Sequence, residues 1–366
     1  MFNQYYSGRR VLVTGHTGFK GGWLSLWLQS LGAHVWGISL PPPTTPNLYE
    51  IIPAGLLAGE VRCDIRHASE LAVAVQEIKP EIVFHLAAQS LVRLSYSEPL
   101  DTFATNALGT AHLLQAVRTA RLPAPVIVVT SDKCYENREW EFAYRENDPL
   151  GGHDVYSMSK AATELVAHSW NKSFFQPDPA LGPIVTVRAG NVIGGGDYAL
   201  DRIVPDSIRS LSENKPILVR NPGAVRPWQH VLECLSGYLW LGARLAGEGK
   251  NSRLATAFNF GPNASSRQPV RNLVGEILRH WPGQWVDASK PGTLHEASLL
   301  TLSIEKAGAL LNWHPVWPFA TTVEKTVTWY RKRQTPGADL FALTRRQIEE
   351  YAAEAHGQNL PWAQPA

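Results

Sequence analysis

Tyr156 and Lys160 lie four residues apart in Tyr-Ser-Met-Ser-Lys, so on a helix both side chains share one face. A phenol ordinarily loses its proton near pH 10, and a neighbouring ammonium favours the phenolate. Lowering that value to about 7 takes roughly 4 kcal/mol, which two close positive charges in a partly dry site supply. Such a phenolate can take the proton of an alcohol while the carbon beside it gives up hydride. Upstream, residues 125–130 form an apolar, nearly all β-branched run that ends in Ser131-Asp132-Lys133-Cys134-Tyr135. Placed just past the carboxyl end of a central strand, those polar residues overhang the crevice where open sheets bind ligands. Ser131 is suited to orient the alcohol oxygen, with a carboxyl and an ammonium directly after it. Helices are full of Tyr and Lys, so the pair acquires meaning only from a strand-end serine and from a hydride carrier upstream.

The carrier is indicated by residues 10–24. Val11, Leu12 and Val13 read as a buried parallel strand, and Gly15, Gly18 and Gly21 follow at a spacing of three. Trp23, Leu24, Leu26, Trp27 and Leu28 recur at helical spacing up to Gly32. Strand, glycine turn and helix make a dinucleotide site, in which Gly15 permits the turn, Gly18 lets backbone approach a pyrophosphate and Gly21 lets the helix pack close. Cofactor contacts are therefore expected from Gly15, His16, Thr17, Gly18, Phe19, Lys20 and Gly21, at a helix N-terminus whose free N–H groups favour phosphate. A strand over 33–38 runs into Ser39, Leu40 and three prolines, with neither the acid that holds an NAD ribose nor a nearby Arg for a 2′-phosphate. After a third strand at 60–63, Asp64-Ile65 either meets the adenine edge or opens the helix over 68–78 with Asp64 as its N-cap. The fourth strand, 81–86, leads into Leu86, Ala87, Ala88 and Gln89, small enough at the first three positions for a cofactor to lie against backbone. Asn106, in a long helix over 99–120, is equally suited to backbone bonding and to chemistry.

Alternating strands and helices imply an α/β fold, a doubly wound parallel Rossmann sheet with helices on both faces. A sixth strand at 184–188 completes a nucleotide-binding domain over 1–190, with a return strand near 257–260. Residues 191–335 then read as a smaller mixed α/β substrate domain, with a helix at 203–211, a strand at 217–220 and a last packed helix at 319–330. Its loop over 220–230 mixes guanidinium groups, an indole and an imidazole, notably Arg220, Arg226 and His230. Residues 336–366 read as a helical tail dispensable for chemistry.

Composition narrows the class. With 366 residues, 44% hydrophobic and 18% charged, the chain is globular and large enough for two packed domains. A net charge of +2 without a basic run argues against nucleic acid as partner. Cys63, Cys134 and Cys234 are odd in number and widely spaced, which points to a reducing compartment with no disulfide framework and no metal site. No signal core or membrane-length apolar stretch appears, so a soluble cytoplasmic protein is expected.

Gly15-x-x-Gly18-x-x-Gly21, Ser131 and Tyr156-x-x-x-Lys160 resemble the extended short-chain dehydrogenase/reductase superfamily, nearly over the whole chain. The Leu311-Asn312-Trp313-His314-Pro315 turn is similar to its C-terminal signature. Thr14-Gly-His-Thr-Gly-Phe-Lys-Gly and Ser131-Asp-Lys-Cys-Tyr resemble the sugar-nucleotide 4,6-dehydratases of that superfamily that start bacterial dideoxyhexose synthesis. The resemblance implies NAD as cofactor, CDP-glucose as substrate, and a redox-neutral cycle. In it Tyr156 takes the C4 hydroxyl proton, Asp132 is the general acid for water leaving C6, and hydride returns to C6. Dehydratases for dTDP- and GDP-sugars carry Thr-Asp-Glu where this chain has Ser131-Asp132-Lys133. Lys133 is then either the C5 base, its ammonium lowered by NAD⁺ and by His16, or a group that steadies an enolate. The resemblance also implies Asn191 and Arg226 near the pyrophosphate, Arg202 and His230 as further substrate contacts, and a homodimer built on a four-helix bundle. A 4-epimerase or reductase, and a non-catalytic NAD-binding regulator, are the rival readings. Asp132-Lys133 speaks against the former, and the intact Tyr/Lys pair against the latter.

Overall fold

Seven short strands form one parallel sheet in a computed structural model that describes residues 1–289 and 299–365. In chain order the elements begin β1 (Arg10–Thr14), α1 (Phe19–Ser30), β2 (His34–Ser39), β3 (Gly59–Arg62), α2 (Ala68–Ile78) and β4 (Ile82–His85). Next come α3 (Val92–Ser97), α4 (Pro99–Phe103), α5 (Gly109–Thr119), β5 (Val126–Val129), α6 (Val155–Trp170) and β6 (Ile184–Arg188). The second part holds β7 (Val192–Ile193), α7 (Ile203–Ser212), β8 (Ile217–Val219), β9 (Val225–Pro227), β10 (Gln229–His230), α8 (Val231–Glu248) and β11 (Phe258–Asn259). It ends with β12 (Arg267–Pro269), α9 (Val270–His280), β13 (Trp285–Asp287), α10 (Glu305–Leu311), α11 (Phe319–Arg333) and α12 (Leu340–Gly357).

The sheet order is β11-β6-β5-β4-β1-β2-β3, so the strand order reverses between β1 and β4. Successive residues of β1 face opposite layers: Val11 and Val13 join one core, Leu12 the other. Burial on both faces is why the strands read as unbroken apolar runs rather than alternating ones. At the reversal, Thr14 Oγ1 accepts from the N–H groups of Leu86 and Ala87 and bonds His85 Nδ1 at 2.7 Å. That clasp fixes the ends of β1 and β4 and opens the crevice between them.

Four stretches differ from the sequence expectation. The helix over 99–120 is interrupted by a π-helical turn, Ala104–Leu108. There Asn106 turns inward, accepting from Gln89 N and donating to Gln89 O and Ser159 Oγ; it is a structural clamp. The segment 220–230 is no simple loop, because β9 pairs β12 and β10 pairs β7. Helix α8 escapes the helical-period reading because it is buried nearly all round and has no polar stripe. The expected tail is core: Trp362 stacks on Phe2 with centroids 5.2 Å apart, and α12 packs on α1 and α11. No helix among the described residues is long and apolar enough to cross a membrane.

Candidate active site

A cavity of about 1030 Å³ runs along the carboxyl ends of the strands, the place where a doubly wound sheet binds its ligands. At one end lies the strand–turn–helix. Gly15 has φ +75°, and a Cβ there would approach Ala87 N to 2.8 Å; a Cβ on Gly21 would lie 2.1 Å from Gly15 O. Only glycines fit this cradle, and α1 begins at Gly18 without a side-chain cap, leaving N–H groups for phosphate. Thr17, Phe19 and Lys20 line the same wall, with Asp64, Ile65, Leu86, Ala87 and Ala88 opposite. The cradle fits a dinucleotide.

At the other end, β5 delivers Ser131 in extended conformation as the cap of a one-turn 3₁₀ helix, Asp132–Cys134. Ser131 Oγ accepts from Lys133 N at 3.2 Å and donates to Asp132 Oδ1 at 2.9 Å. Asp132 is buried, and its carboxylate fills the space over Gly190, where a Cβ would come within 1.8 Å of Oδ2. Helix α6 starts on the Asp154 cap, which accepts from Ser157 N at 2.9 Å. One turn of that helix then presents Tyr156 and Lys160 to the cavity beside Ser131, Asp132 and Lys133. One turn further on, Glu164 accepts from Thr130 and Thr186 and pairs with Arg188 at 2.8 Å, both side chains buried. Arg188 in turn donates to the Tyr135 hydroxyl at 2.6 Å. The ends of β5 and β6 and the catalytic helix are thereby locked together.

The electrostatics differ from the sequence expectation. Burial pushes the Tyr156 phenol up to about 12, against a lowering hydrogen bond with Ser131. Burial, with the charge of Lys20, pushes Lys160 down to about 8. Desolvation outweighs the lowering by Ser131 and by the Arg202 charge, so in the chain by itself the phenol keeps its proton at neutral pH.

Several expected contacts are corrected. His16 turns away beneath β2: its Nε2 meets Glu60 Oε1 at 2.7 Å, and its ring fills the space that a Cβ on Gly37 would take. It therefore lends no charge to Lys133. The Gln89 side chain is spent on its own turn, donating to Leu91 O and Thr102 Oγ1. His230 is fully buried, with Nδ1 accepting from Leu232 N at the start of α8 and its ring between Trp23 and Trp317; it meets no substrate. Asp64 caps no helix. It accepts from Arg66 N and pairs with the Arg66 guanidinium at 2.7 Å. An Arg does approach the end of β2, since the register places Arg62 opposite Ser39, a neighbour that only strand pairing reveals.

Asn191, Arg202, Arg220 and Arg226 all line the cavity. Arg202 pairs with Asp197 at 2.9 Å and donates to Ser90 Oγ across the cleft. Asp201 lies between Arg220 at 2.6 Å and Arg93 at 3.5 Å. Ser90, Arg93, Asp197 and Asp201 are cleft residues that sequence reasoning missed. Nothing in their spacing marks them, because the fold brings them together from α3 and separate loops.

The profile of the NAD dependent epimerase/dehydratase family matches residues 11–259. A CDP-glucose 4,6-dehydratase of Salmonella typhimurium is 45% identical over 95% of this chain and 97% of its own length. A probable dTDP-glucose 4,6-dehydratase of Sinorhizobium fredii is 26% identical over 88% of this chain and 92% of its own. Among solved structures, the dTDP-glucose 4,6-dehydratase DesIV of Streptomyces venezuelae, with NAD and TYD bound, superposes with a TM-score of 0.73. It is 25% identical, covering 89% of this chain and 98% of that one. The epimerase Mth375 of Methanothermobacter thermautotrophicus shares the fold with a TM-score of 0.77 at 23% identity, over 94% and 96% of the two chains.

Proposed function

The chain belongs to the NAD dependent epimerase/dehydratase family, and we propose that it acts as a CDP-glucose 4,6-dehydratase. It oxidises C4 of the glucosyl unit, eliminates water across C5 and C6, and returns hydride to C6, giving CDP-4-dehydro-6-deoxy-D-glucose. The observation that carries this reading is the convergence of Ser131, Asp132 and Lys133 with Tyr156 and Lys160 at one end of a cavity whose other end is a dinucleotide cradle.

NAD held on that cradle supplies the hydride acceptor for C4 and the donor for C6, with no net consumption. Tyr156 takes the proton of the C4 hydroxyl, Ser131 holds that oxygen, and the Lys160 ammonium steadies the phenolate. The resulting C4 ketone acidifies C5–H. Lys133 either removes that proton as a neutral amine or steadies the enolate with its ammonium, and Asp132 protonates the departing C6 hydroxyl so that water leaves. Once hydride has arrived at C6, a proton returns to C5. Asn191, Arg202, Arg220 and Arg226 hold the diphosphate side of the sugar nucleotide. The cytosine preference is supported by the 45% identical relative.

The active species is a homodimer. Leu94, Tyr96, Leu100, Leu108, Met158 and Leu165 are exposed on α3, α4, the π turn and α6, an apolar face that a second copy covers across a two-fold axis as a four-helix bundle. The cytoplasm, as a reducing compartment, matches three unpaired buried cysteines, and the product feeds dideoxyhexose and O-antigen synthesis. The test is incubation with CDP-, dTDP-, GDP- and UDP-linked glucose and mannose without added reductant. A ketone absorbing in alkali is expected from CDP-glucose above the others. Epimerisation without loss of oxygen, or no turnover of any of them, would sink the reading.

A further inference from the structure

We propose that the adenosine end of the cradle admits a 2′-phosphate, so that the chain binds the 2′-phosphorylated nicotinamide dinucleotide as well as NAD. A carboxylate at the end of the second strand normally does two things there: it accepts from the ribose hydroxyls and it repels a phosphate. Here β2 ends in Ser39, and the following Leu-Pro-Pro-Pro-Thr-Thr-Pro brings no acid.

What the fold supplies instead is a donor set. The parallel register sets Arg62, the last residue of β3, opposite Ser39. Arg62 Nη1 lies 3.4 Å from Ser39 Oγ and 3.3 Å from Leu40 O, long contacts, while its charge also acts on the Tyr49 hydroxyl and the Glu60 carboxylate. The group rests on the Tyr49 ring, 5.3 Å from its centroid, and among the described residues it makes no ion pair. The buried hydroxyls of Thr17 and Ser39 are 3.0 Å apart beside it, and Thr17, Ser39 and Leu40 all line the cavity. Both hydroxyls donate to Leu40 O at 2.9 Å, so the guanidinium is the group that a phosphate monoester takes, through charge-assisted bonds to its oxygens. The nearest carboxylates have partners of their own. Glu60 accepts from His16 and from the Tyr49 hydroxyl, and Asp64 is paired with Arg66. Asp64 is thereby neutralised, and Glu60, whose His16 and Tyr49 donors carry no charge at neutral pH, has its charge offset by Arg62 itself.

The proposal rests on the cradle holding a dinucleotide, so both dinucleotides are titrated calorimetrically into the full chain. NADP⁺ is expected to bind within about tenfold of NAD⁺. Arg62→Met, an exposed substitution that threatens no packing, should weaken NADP⁺ by about 10- to 100-fold, the value of a charged hydrogen bond, and NAD⁺ by less than about threefold. Ser39→Asp should restore discrimination, weakening NADP⁺ by at least about 30-fold while NAD⁺ holds. NADP⁺ binding more than about 100-fold weaker than NAD⁺ in the native chain would overturn the proposal alone. So would an Arg62→Met variant that weakens both equally. Absence of binding by either dinucleotide would overturn the cradle reading and this proposal with it.

Discussion

At the scale of single residues, the chemistry turns on which groups carry a proton before substrate arrives. Tyr156 is held at about 12 and Lys160 at about 8, so at neutral pH the free chain presents a neutral phenol and a charged amine. Forming the phenolate must therefore coincide with binding: it needs a positive charge brought against a buried oxygen. Tyr156→Phe removes the proton acceptor and leaves the ring. It should slow C4 oxidation by about 10²–10⁴-fold, the range for a lost general base, while calorimetric affinity for CDP changes little. A comparable loss of affinity would move Tyr156 from chemistry to binding. Lys133 poses a sharper question, since related dehydratases carry Glu in that place. Lys133→Ala should abolish deuterium exchange at C5 while reduction of the cofactor by CDP-glucose remains visible in absorbance; normal exchange in that variant would assign the C5 proton elsewhere. The strand-end serine, the Tyr/Lys pair and the glycines were legible because each is tied to a local element whose period shows in the chain. His16 and His230 were misread because their motif positions say nothing about which way a side chain turns. Both rings are drawn into buried packing, under β2 and between two tryptophans.

At the scale of elements, the sheet was readable and its far connections were not. Buried strands announce themselves as apolar runs, whereas Arg62 reaches Ser39 only through the β2–β3 register. Arg93, on α3, reaches Asp201 only because the fold sets that helix against the loop before α7. Helix α8, buried on nearly every side, lacks the polar stripe that makes a helix visible. The C-terminal segment was underrated for a related reason, because its helix was recognisable and its partners were not. Tyr351 of α12 donates to Glu233 Oε2 at 2.7 Å, Trp329 Nε1 donates to Thr344 Oγ1, and Trp362 closes an aromatic cluster with Phe2, Trp27 and Tyr351. Helix α11 passes the support on, its Tyr330 hydroxyl donating to Asp197 O at 2.5 Å on the cleft loop. Trp362→Ala should therefore cost about 3–5 kcal/mol, as for a large aromatic removed from a core, read as the shift in urea unfolding. A shift under about 1 kcal/mol would return the segment to the status of an appendage.

At the scale of the whole molecule, one buried carboxyl fastens three segments of the second part to one another and gives stability a pH dependence. Glu233, fully buried on α8, accepts from Val316 N at 3.0 Å and Trp317 N at 2.7 Å as well as from Tyr351. It thereby fastens the turn before α11 and the helix α12 to the central helix. Burial raises its carboxyl from an ordinary 4.5 to about 7, against the lowering effect of those three donors. Below pH 4.5 the group is neutral whether the chain is folded or not. Between 4.5 and 7 the unfolded chain releases the proton and the folded chain keeps it, so stability falls as pH rises. Above 7 both forms are charged and the loss is complete, at roughly 3 kcal/mol. Glu233→Gln keeps the shape and cannot titrate. It forfeits one acceptor, since an amide N–H₂ would face a backbone N–H, and should be less stable than the native chain near pH 4.5. The gap between the two should be widest near pH 4.5 and narrow by roughly 3 kcal/mol by pH 8. Urea unfolding of both proteins across that range reads the difference directly, and a gap that stays constant would mean that the carboxyl is already ionised in the folded chain at the acid end.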